Sequence, residues 1–203
     1  MAEIPTRPTK AQVAGAAHLL VPDVIADRLD VLFVGINPGL YSAAIGYHFG
    51  RPGNRFWPAL HLGGFTPRVL SPWENDLLLD ERLGITNVVE RASARADELT
   101  DAELVAGAAV LAEKIERHAP RVAALLGVTS YRIAFHRPKA AVGLQAETIG
   151  DTELWRGVAE AQGSSTFLGF DLAELIRLAD NIHQSGWPAR PPVLLPRMSD
   201  ETC

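Results

Sequence analysis

Cysteine and long apolar runs are nearly absent from this sequence of 203 residues, whose one cysteine is Cys203. A single thiol excludes an internal disulfide and a cysteine-rich metal cluster. No apolar run approaches the roughly 20 residues that a transmembrane helix needs. The first residues also lack the apolar stretch of a secretory signal. We therefore expect a soluble cytoplasmic protein with no membrane partner.

Positive charge is scarce as well. The chain has 19 Lys and Arg against 24 Asp and Glu, a net charge of −5, which excludes a globally basic nucleic-acid-binding protein. The hydrophobic fraction of 47% excludes disorder. The length fits one domain spanning residues 1–203, in which the Pro- and Thr-rich residues 1–9 are expected to form a loose arm.

Motifs of several enzyme classes are missing too. No G-x-G-x-x-G follows the first predicted strand, which disfavours a dinucleotide-binding fold. No G-x-S-x-G elbow of a serine hydrolase is present. The six histidines show no metal-ligand spacing. The sequence therefore predicts neither a metal nor a cofactor.

Three apolar runs, at 31–36, 84–89 and 122–127, predict strands buried on both faces. Between the last two, Thr100 and Glu103 form a capping box that predicts a helix running to the break at Pro120. Residues 140–155 resemble a strand and turn. This alternation predicts an α/β fold, a three-layer α/β/α sandwich with a small, mainly parallel central sheet.

Weaker patterns predict the remaining elements. A Gly-rich loop is expected after residue 39, and a helix from about Asn54. Further helices are expected at 10–20, 74–83, 129–136 and 171–182. The last helix is predicted to bury Leu172, Leu175, Ile176 and Ala179 on one face.

Residues 31–73 contain no Asp or Glu, although the chain as a whole is acidic. Aromatic and basic side chains interleave within this stretch, a pattern typical of nucleic-acid binding because rings stack on bases while cations hold the backbone. Phe56 and Trp57 are also expected as core anchors of the following helix. The basic residues are His48, Arg51, Arg55, His61 and Arg68, and the aromatic ones include Tyr47 and Phe49.

One set of motifs resembles a known family. Residues 35–40 read Gly-Ile-Asn-Pro-Gly-Leu, and Tyr47-His48-Phe49, Pro52-Gly53-Asn54 and Phe56-Trp57 follow. Together they resemble the mismatch-specific uracil/thymine-DNA glycosylases, a branch of the uracil-DNA glycosylase superfamily, over about residues 30–155. The resemblance implies a monomeric, monofunctional hydrolase of base-excision repair that needs no cofactor. Its partner would be double-stranded DNA with a G·U or G·T mismatch, from which it removes the flipped pyrimidine and leaves an abasic site.

The resemblance also implies roles for individual residues. Asn37 matches the residue that positions the hydrolytic water, and Phe49 matches the ring that stacks on the flipped base. Asn87, at a predicted strand end, is a second catalytic candidate, while Glu90 and Asp97 are weaker candidates for a general base. The remaining predicted base contacts are Ile36, Gly39, Ser42 and His48, and the predicted DNA contacts are Arg51, Arg55 and Ser199.

Residues 156–203 are not explained by the resemblance. The family has a Pro-Ser-containing loop directly after the last strand, and this loop fills the hole left by the flipped base. Here Arg156-Gly157-Val158 follows instead. The nearest substitutes are residues 193–199, which end in Ser199, and the weaker 163–165. A non-catalytic binder of mismatched or damaged DNA is therefore the alternative hypothesis.

Overall fold

A computed structural model describes residues 4–156 and 172–184 of the chain. Its centre is a five-stranded sheet in the order β2-β1-β3-β5-β4. All neighbouring strands run parallel except β4 and β5, which form an antiparallel hairpin. The strands are β1 (Val31–Gly35), β2 (Leu83–Asn87), β3 (Val122–Leu125), β4 (Gly143–Ile149) and β5 (Thr152–Arg156). The predicted mixed α/β fold with a mainly parallel central sheet is confirmed.

Helices pack on both faces of this sheet. The α-helices of the described ranges are α1 (Lys10–Ala14), α2 (Leu40–Ile45), α3 (Phe56–Leu62), α4 (Leu77–Asp80), α5 (Asp101–His118), α6 (Val128–Ala134) and α7 (Leu172–Gln184). One apolar cluster unites Val31 and Phe33 with side chains of α3 and α7. A second cluster unites Leu32 and Val34 with α5 and α6. Alternate residues of β1 thus enter opposite layers, as the two-residue period of a strand requires.

The helix with the clearest sequence signal forms as predicted. Thr100 accepts from the amide of Glu103 at 3.2 Å, and Glu103 accepts from the amide of Thr100 at 2.9 Å, which completes the capping box. At the other end Ala119 is left-handed, and Pro120 follows it. The buried stripe of α5 consists of Leu104, Ala108, Leu111 and Ile115.

Several weaker predictions were wrong in detail. The helix expected at 74–83 is a 3-10 turn at Pro72–Glu74 followed by the single turn α4, because Leu83 already pairs with Val31 in the sheet. The Gly-rich loop contains α2, whose end is set by Gly46 in the left-handed region. The helix expected at 10–20 is shorter, and its second part is a 3-10 turn at Gly15–His18.

The last described helix, α7, confirms the predicted burial of Leu175 and Ala179, but the prediction for Ile176 was wrong. Ile176 is exposed, whereas Leu175, Leu178, Ala179 and Ile182 are buried. Spacings of three, one and three residues keep the buried stripe on one side of a helix with 3.6 residues per turn. The side chain of Leu172 lies outside the described residues, as do 163–165 and 193–199.

The outer edge of β2 is covered by the segment of residues 21–24. Val24 and Ile85 exchange two backbone hydrogen bonds, at 2.9 and 2.8 Å, as an isolated antiparallel bridge. No helix within the described ranges is both long and apolar enough to cross a bilayer.

Candidate functional site

The carboxyl ends of β1 and β2 lie side by side and supply the centre of the site. Gly35 and Asn87 are register partners at the last position of these two parallel strands. Both follow, at intervals of two, residues of the first apolar cluster, so they face the same layer. In open parallel sheets this carboxyl edge is where ligands bind.

Gly35 provides room for two other side chains. A methyl group at Gly35 would overlap Asn87 Oδ1 and would lie 3.4 Å from Phe49 Cζ. The Asn87 amide and the Phe49 ring therefore converge over the bare backbone of Gly35. In the described part of the chain, no residue donates a hydrogen bond to Asn87 Oδ1.

Phe49 is held on a platform formed by Phe56. The two rings stack at a centroid distance of 4.1 Å and an angle of 22°. Phe56 is 1% exposed, as its prediction as a core anchor required, whereas Phe49 is half-buried. The backbone of Phe49 has φ of 50°, a left-handed conformation that costs a residue with a side chain about 1–2 kcal/mol.

Ser42 anchors the loop that carries His48 and Phe49. Its buried hydroxyl accepts from the amide of Gly50 at 3.0 Å, and its carbonyl accepts from the amide of Tyr47 at 3.1 Å. These two bonds tie the end of α2 to both sides of the His48-Phe49 pair. The structure therefore gives Ser42 a supporting position behind this loop.

His48 is buried, and its two ring nitrogens have different partners. Nε2 lies 2.9 Å from the carbonyl oxygen of Pro22, which can only accept, so Nε2 carries the hydrogen. Nδ1 lies 3.3 Å from Asn87 Nδ2 and accepts from it. Burial lowers the pKa of His48, with opposing contributions from the Pro22 carbonyl and Asp23. The ring is therefore neutral at neutral pH and holds the Asn87 amide in one orientation.

Asn37, two residues beyond β1, has an equally defined orientation. Its Nδ2 donates to the carbonyl oxygen of Arg91 at 2.9 Å and to Ser93 Oγ at 2.7 Å. Because the Arg91 carbonyl can only accept, the nitrogen must face it. Both amide hydrogens are thus used, and Oδ1 is the atom that remains to accept from a water or a ligand.

The segment that holds Asn37 is itself fixed at several points. Ser93 Oγ donates to the carbonyl of Arg95 at 2.6 Å, and the Ser93 amide donates to the carbonyl of Pro38 at 3.1 Å. The Arg91 side chain pairs with Glu103 at 2.7 Å. This hydrogen bond from Arg91 and those within the capping box lower the pKa of Glu103 to about 2. The ion pair between Glu103 and the Arg91 side chain therefore persists well into the acid range.

Ile36 and Gly39, which the sequence predicted as base contacts, flank Asn37 and Pro38 in the chain. The side chain of Ile36 packs on the opposite layer, where a methyl group on Gly127 would overlap it. Gly39 is exposed, starts α2 and pairs with Ser93 through an isolated bridge. Asn54 accepts from the amide of Phe56 at 2.9 Å and so ties the loop to α3, although the N-cap residue of this helix is Arg55.

The basic residues of the acid-free stretch are less uniform than the sequence indicates. Arg51 and Arg55 are exposed beside the Phe49 loop. Arg68 is exposed as well, and it forms an ion pair with Glu74 at 2.7 Å. His61 bonds to the Thr66 carbonyl at 3.0 Å, and His48 is neutral. Arg51, Arg55 and Arg68 are therefore the arginines of this stretch that lie at the surface.

The two carboxylates considered as a general base have other partners. Asp97 pairs with Arg95, and Glu90 is exposed with Lys114 3.8 Å away. Ser199 lies outside the described residues. Among the residues that are described, no group of three or more His, Cys, Asp or Glu side chains could hold a metal ion.

Sequence reasoning missed the residues that hold Asn37 and His48. Ser93 and the Arg91 carbonyl follow β2 by only a few positions, so the rule that parallel strands end at one edge could have indicated them. Pro22 gave no comparable signal, because its carbonyl is contributed by an irregular segment that precedes the first strand.

Comparison with protein families gives one match over most of the chain. A family model described as the uracil DNA glycosylase superfamily matches residues 22–176. The match includes every strand of the sheet, the loop with His48 and Phe49, and the segment that supports Asn37.

Proposed function

Because the chain belongs to the uracil DNA glycosylase superfamily, we propose that it removes uracil, or thymine, opposite guanine from duplex DNA. Membership in this superfamily points to a hydrolase that acts on the glycosidic bond of uracil in DNA. The mismatch preference and the residue roles below are our proposal. Its main support is the fixed amide of Asn37 at the same sheet edge as the Phe49 and Asn87 pair.

Asn37 is proposed to position the attacking water. Its Oδ1 accepts a hydrogen bond from the water, while Arg91 and Ser93 prevent the amide from turning. An amide does not accept a proton at neutral pH, so Asn37 orients the water rather than deprotonating it. Correct placement alone can contribute several kcal/mol to a rate, as effective molarities show.

The pyrimidine is proposed to stack on the ring of Phe49, beyond the carboxyl ends of β1 and β2. Stacking on an aromatic ring contributes about 1–3 kcal/mol for each base. Asn87 Oδ1, which His48 holds toward Gly35, would accept from the N3–H of uracil or thymine. Asn87 is thus proposed to contact the base edge, and backbone groups of Ile36 and Gly39 to complete the pocket.

The proposed step is a hydrolysis that needs only water as second reactant. The C1′–N1 bond breaks, its electron pair leaves with the pyrimidine, and the sugar acquires oxocarbenium character. The oxygen of water bonds to C1′. One water proton is released to solvent, and N1 of the base is protonated from solvent. The products are a free pyrimidine and an abasic site, with the phosphodiester backbone intact.

Duplex DNA is proposed to be held by the exposed arginines of the acid-free stretch. Arg51 and Arg55 lie next to the loop that receives the base, where they can contact phosphates. The net charge of −5 makes this a local attraction that weakens as salt rises. A mismatched pyrimidine is easier to extrude than a paired one, which favours G·U and G·T substrates.

Alkali treatment of a labelled duplex tests this function. The protein is incubated with duplexes that differ only in one pair, namely G·U, G·T, A·U or G·C. We expect alkali-labile cleavage at the uracil of G·U, no cleavage before alkali, and none in G·C. A G·U duplex that is bound but yields no alkali-labile site would contradict the enzyme and favour the non-catalytic binder.

A further inference from the structure

An ion pair between Lys114 and Asp23 lies on the face of the sheet opposite to the proposed base pocket. Lys114 extends from α5 and donates to the Asp23 carboxylate and, at 3.1 Å, to Thr86 Oγ1. Thr86 donates to Asp23 at 2.6 Å. The Lys114 side chain is only 15% exposed, so removing either charge leaves its partner poorly solvated.

The segment of residues 21–24 connects this ion pair to the pocket around the edge of the sheet. Val24 pairs with Ile85 in the middle of β2. Asp23 reaches the α5 side of the sheet, where Thr86 points, while the Pro22 carbonyl faces His48 on the other side. Two adjacent residues, Asp23 and Pro22, thus link Lys114 to the ring of His48.

The ring of His48 transmits this constraint to Asn87. A neutral ring with hydrogen on Nε2 has an acceptor at Nδ1, so the Asn87 nitrogen must face it. A protonated ring would donate from both nitrogens. Asn87 would then have to turn its oxygen toward His48 and its nitrogen toward Gly35.

We propose that Asp23 and Lys114 are positioning residues that hold the Pro22 carbonyl against a neutral His48, so that Asn87 presents its oxygen to the base. This inference rests on the proposed function, because an oxygen at that place selects a pyrimidine with a hydrogen on N3. The ion pair acts through His48 and has no contact with substrate.

The charged groups that act on His48 come from two elements, and they oppose each other. Asp23 of the edge segment raises the pKa of His48, and Lys114 of α5 lowers it. From β2 the neighbour is the neutral amide of Asn87, and Glu90 lies beyond Lys114. On its own loop, Arg51 is exposed to solvent. Removing one member of the ion pair therefore leaves the other unopposed.

Two isosteric variants should move the pH dependence of base release in opposite directions. Lys114→Met leaves the Asp23 charge unopposed, so the acid limb of the single-turnover rate on G·U should move to higher pH. Asp23→Asn removes that charge, so the limb should move to lower pH. The double variant should return close to the parent.

An exposed ion pair elsewhere supplies matched controls. Arg137 and Glu147 pair at 2.6 Å on the surface, so Arg137→Met and Glu147→Gln make the same charge changes away from His48. Neither should move the limb. If the Asp23 and Lys114 variants only weakened the fold, they would lower the rate without opposite displacements of the limb.

The free protein offers a readout that needs no activity. Long-range proton–nitrogen spectra of ¹⁵N-labelled protein should show hydrogen on Nε2 of His48, and its titration should shift up in Lys114→Met and down in Asp23→Asn. If no duplex releases a base, the proposed function fails. The spectra of the free protein would still test whether Asp23 and Lys114 act on His48. Hydrogen on Nδ1, or shifts that are absent or equal in sign, would overturn this inference.

Discussion

Asn37 Nδ2 and Ser93 Oγ lie 2.7 Å apart across 56 residues of sequence. The hydroxyl of Ser93 donates its hydrogen bond to the Arg95 carbonyl, so toward Asn37 it acts as an acceptor. The orientation of the proposed water-binding amide therefore depends on a segment that follows the neighbouring strand. A residue with no direct part in the chemistry should consequently affect the rate.

Ser93→Ala should slow base release with little change in duplex binding. The variant leaves the Asn37 amide with only the Arg91 carbonyl, and a poorly placed water costs about tenfold to a hundredfold in rate. Single-turnover release from a G·U duplex measures the effect. Ser93→Thr restores the hydroxyl and should recover most of the rate; equal losses in both variants would argue against the hydrogen bond.

Gly35→Ala should abolish base release, whereas it should lower the thermal unfolding temperature only moderately. The added methyl group overlaps Asn87 Oδ1 and approaches Phe49 Cζ at 3.4 Å, so the two groups proposed to hold the base must separate. Gly15→Ala is a control, since nothing lies within 4 Å of its added methyl group. Base release and thermal unfolding are measured for both. Parent-level release by Gly35→Ala would contradict the proposed pocket.

Two substitutions of Phe49 should separate stacking from backbone strain. Phe49→Ala and Phe49→Gly both remove the ring, so each should weaken binding to a duplex with an extruded pyrimidine by about 1–3 kcal/mol. Only glycine adopts φ of 50° without cost, so Phe49→Gly should be the more stable of the two by about 1 kcal/mol. Fluorescence binding and denaturant unfolding test these outcomes, and unchanged affinity in both would exclude the stacking role.

The stability of the protein should fall as the pH drops below about 6.5. The pKa of His48 is lower in the folded protein than the ordinary value of 6.5, mainly through burial. The unfolded chain therefore takes up a proton first, and stability is lost from pH 6.5 down to the folded pKa. Denaturant unfolding between pH 7.5 and 5 measures this.

His48→Gln should remove that part of the pH dependence. Glu74 and Glu103, whose pKa values are lowered to about 2, cannot account for the same effect. Their contributions are present above about 4.5 and are lost only below it. A slope in His48→Gln equal to that of the parent would show that other groups titrate there.

The sequence predicted those parts of the fold that depend on local pattern. Continuous apolar runs predicted β1, β2 and β3, and the Thr100 and Glu103 capping box predicted the start of α5, because these signals are contained within a few residues. The helix expected at 74–83 failed because pairing of Leu83 with Val31 outweighed helix propensity there.

The site was predictable only in part, for a related reason. Motifs indicated Asn37, His48 and Phe49, but not the groups that orient them. Ser93 and the Pro22 carbonyl reach Asn37 and His48 through tertiary contacts over 56 and 26 residues of sequence. No local pattern records which backbone carbonyl a buried histidine will meet.

Base release by Asn37→Ala tests the central claim most directly. Parent and variant are compared in single-turnover assays on a G·U duplex, with binding to an uncleavable G·U analogue measured in parallel. Asn54→Ala is the control, since Asn54 accepts from the amide of Phe56 just before α3 and should affect stability by about 1 kcal/mol rather than chemistry. We predict that Asn37→Ala binds the duplex nearly as well as the parent but releases no uracil. Release at close to the parent rate would contradict the role assigned to this amide.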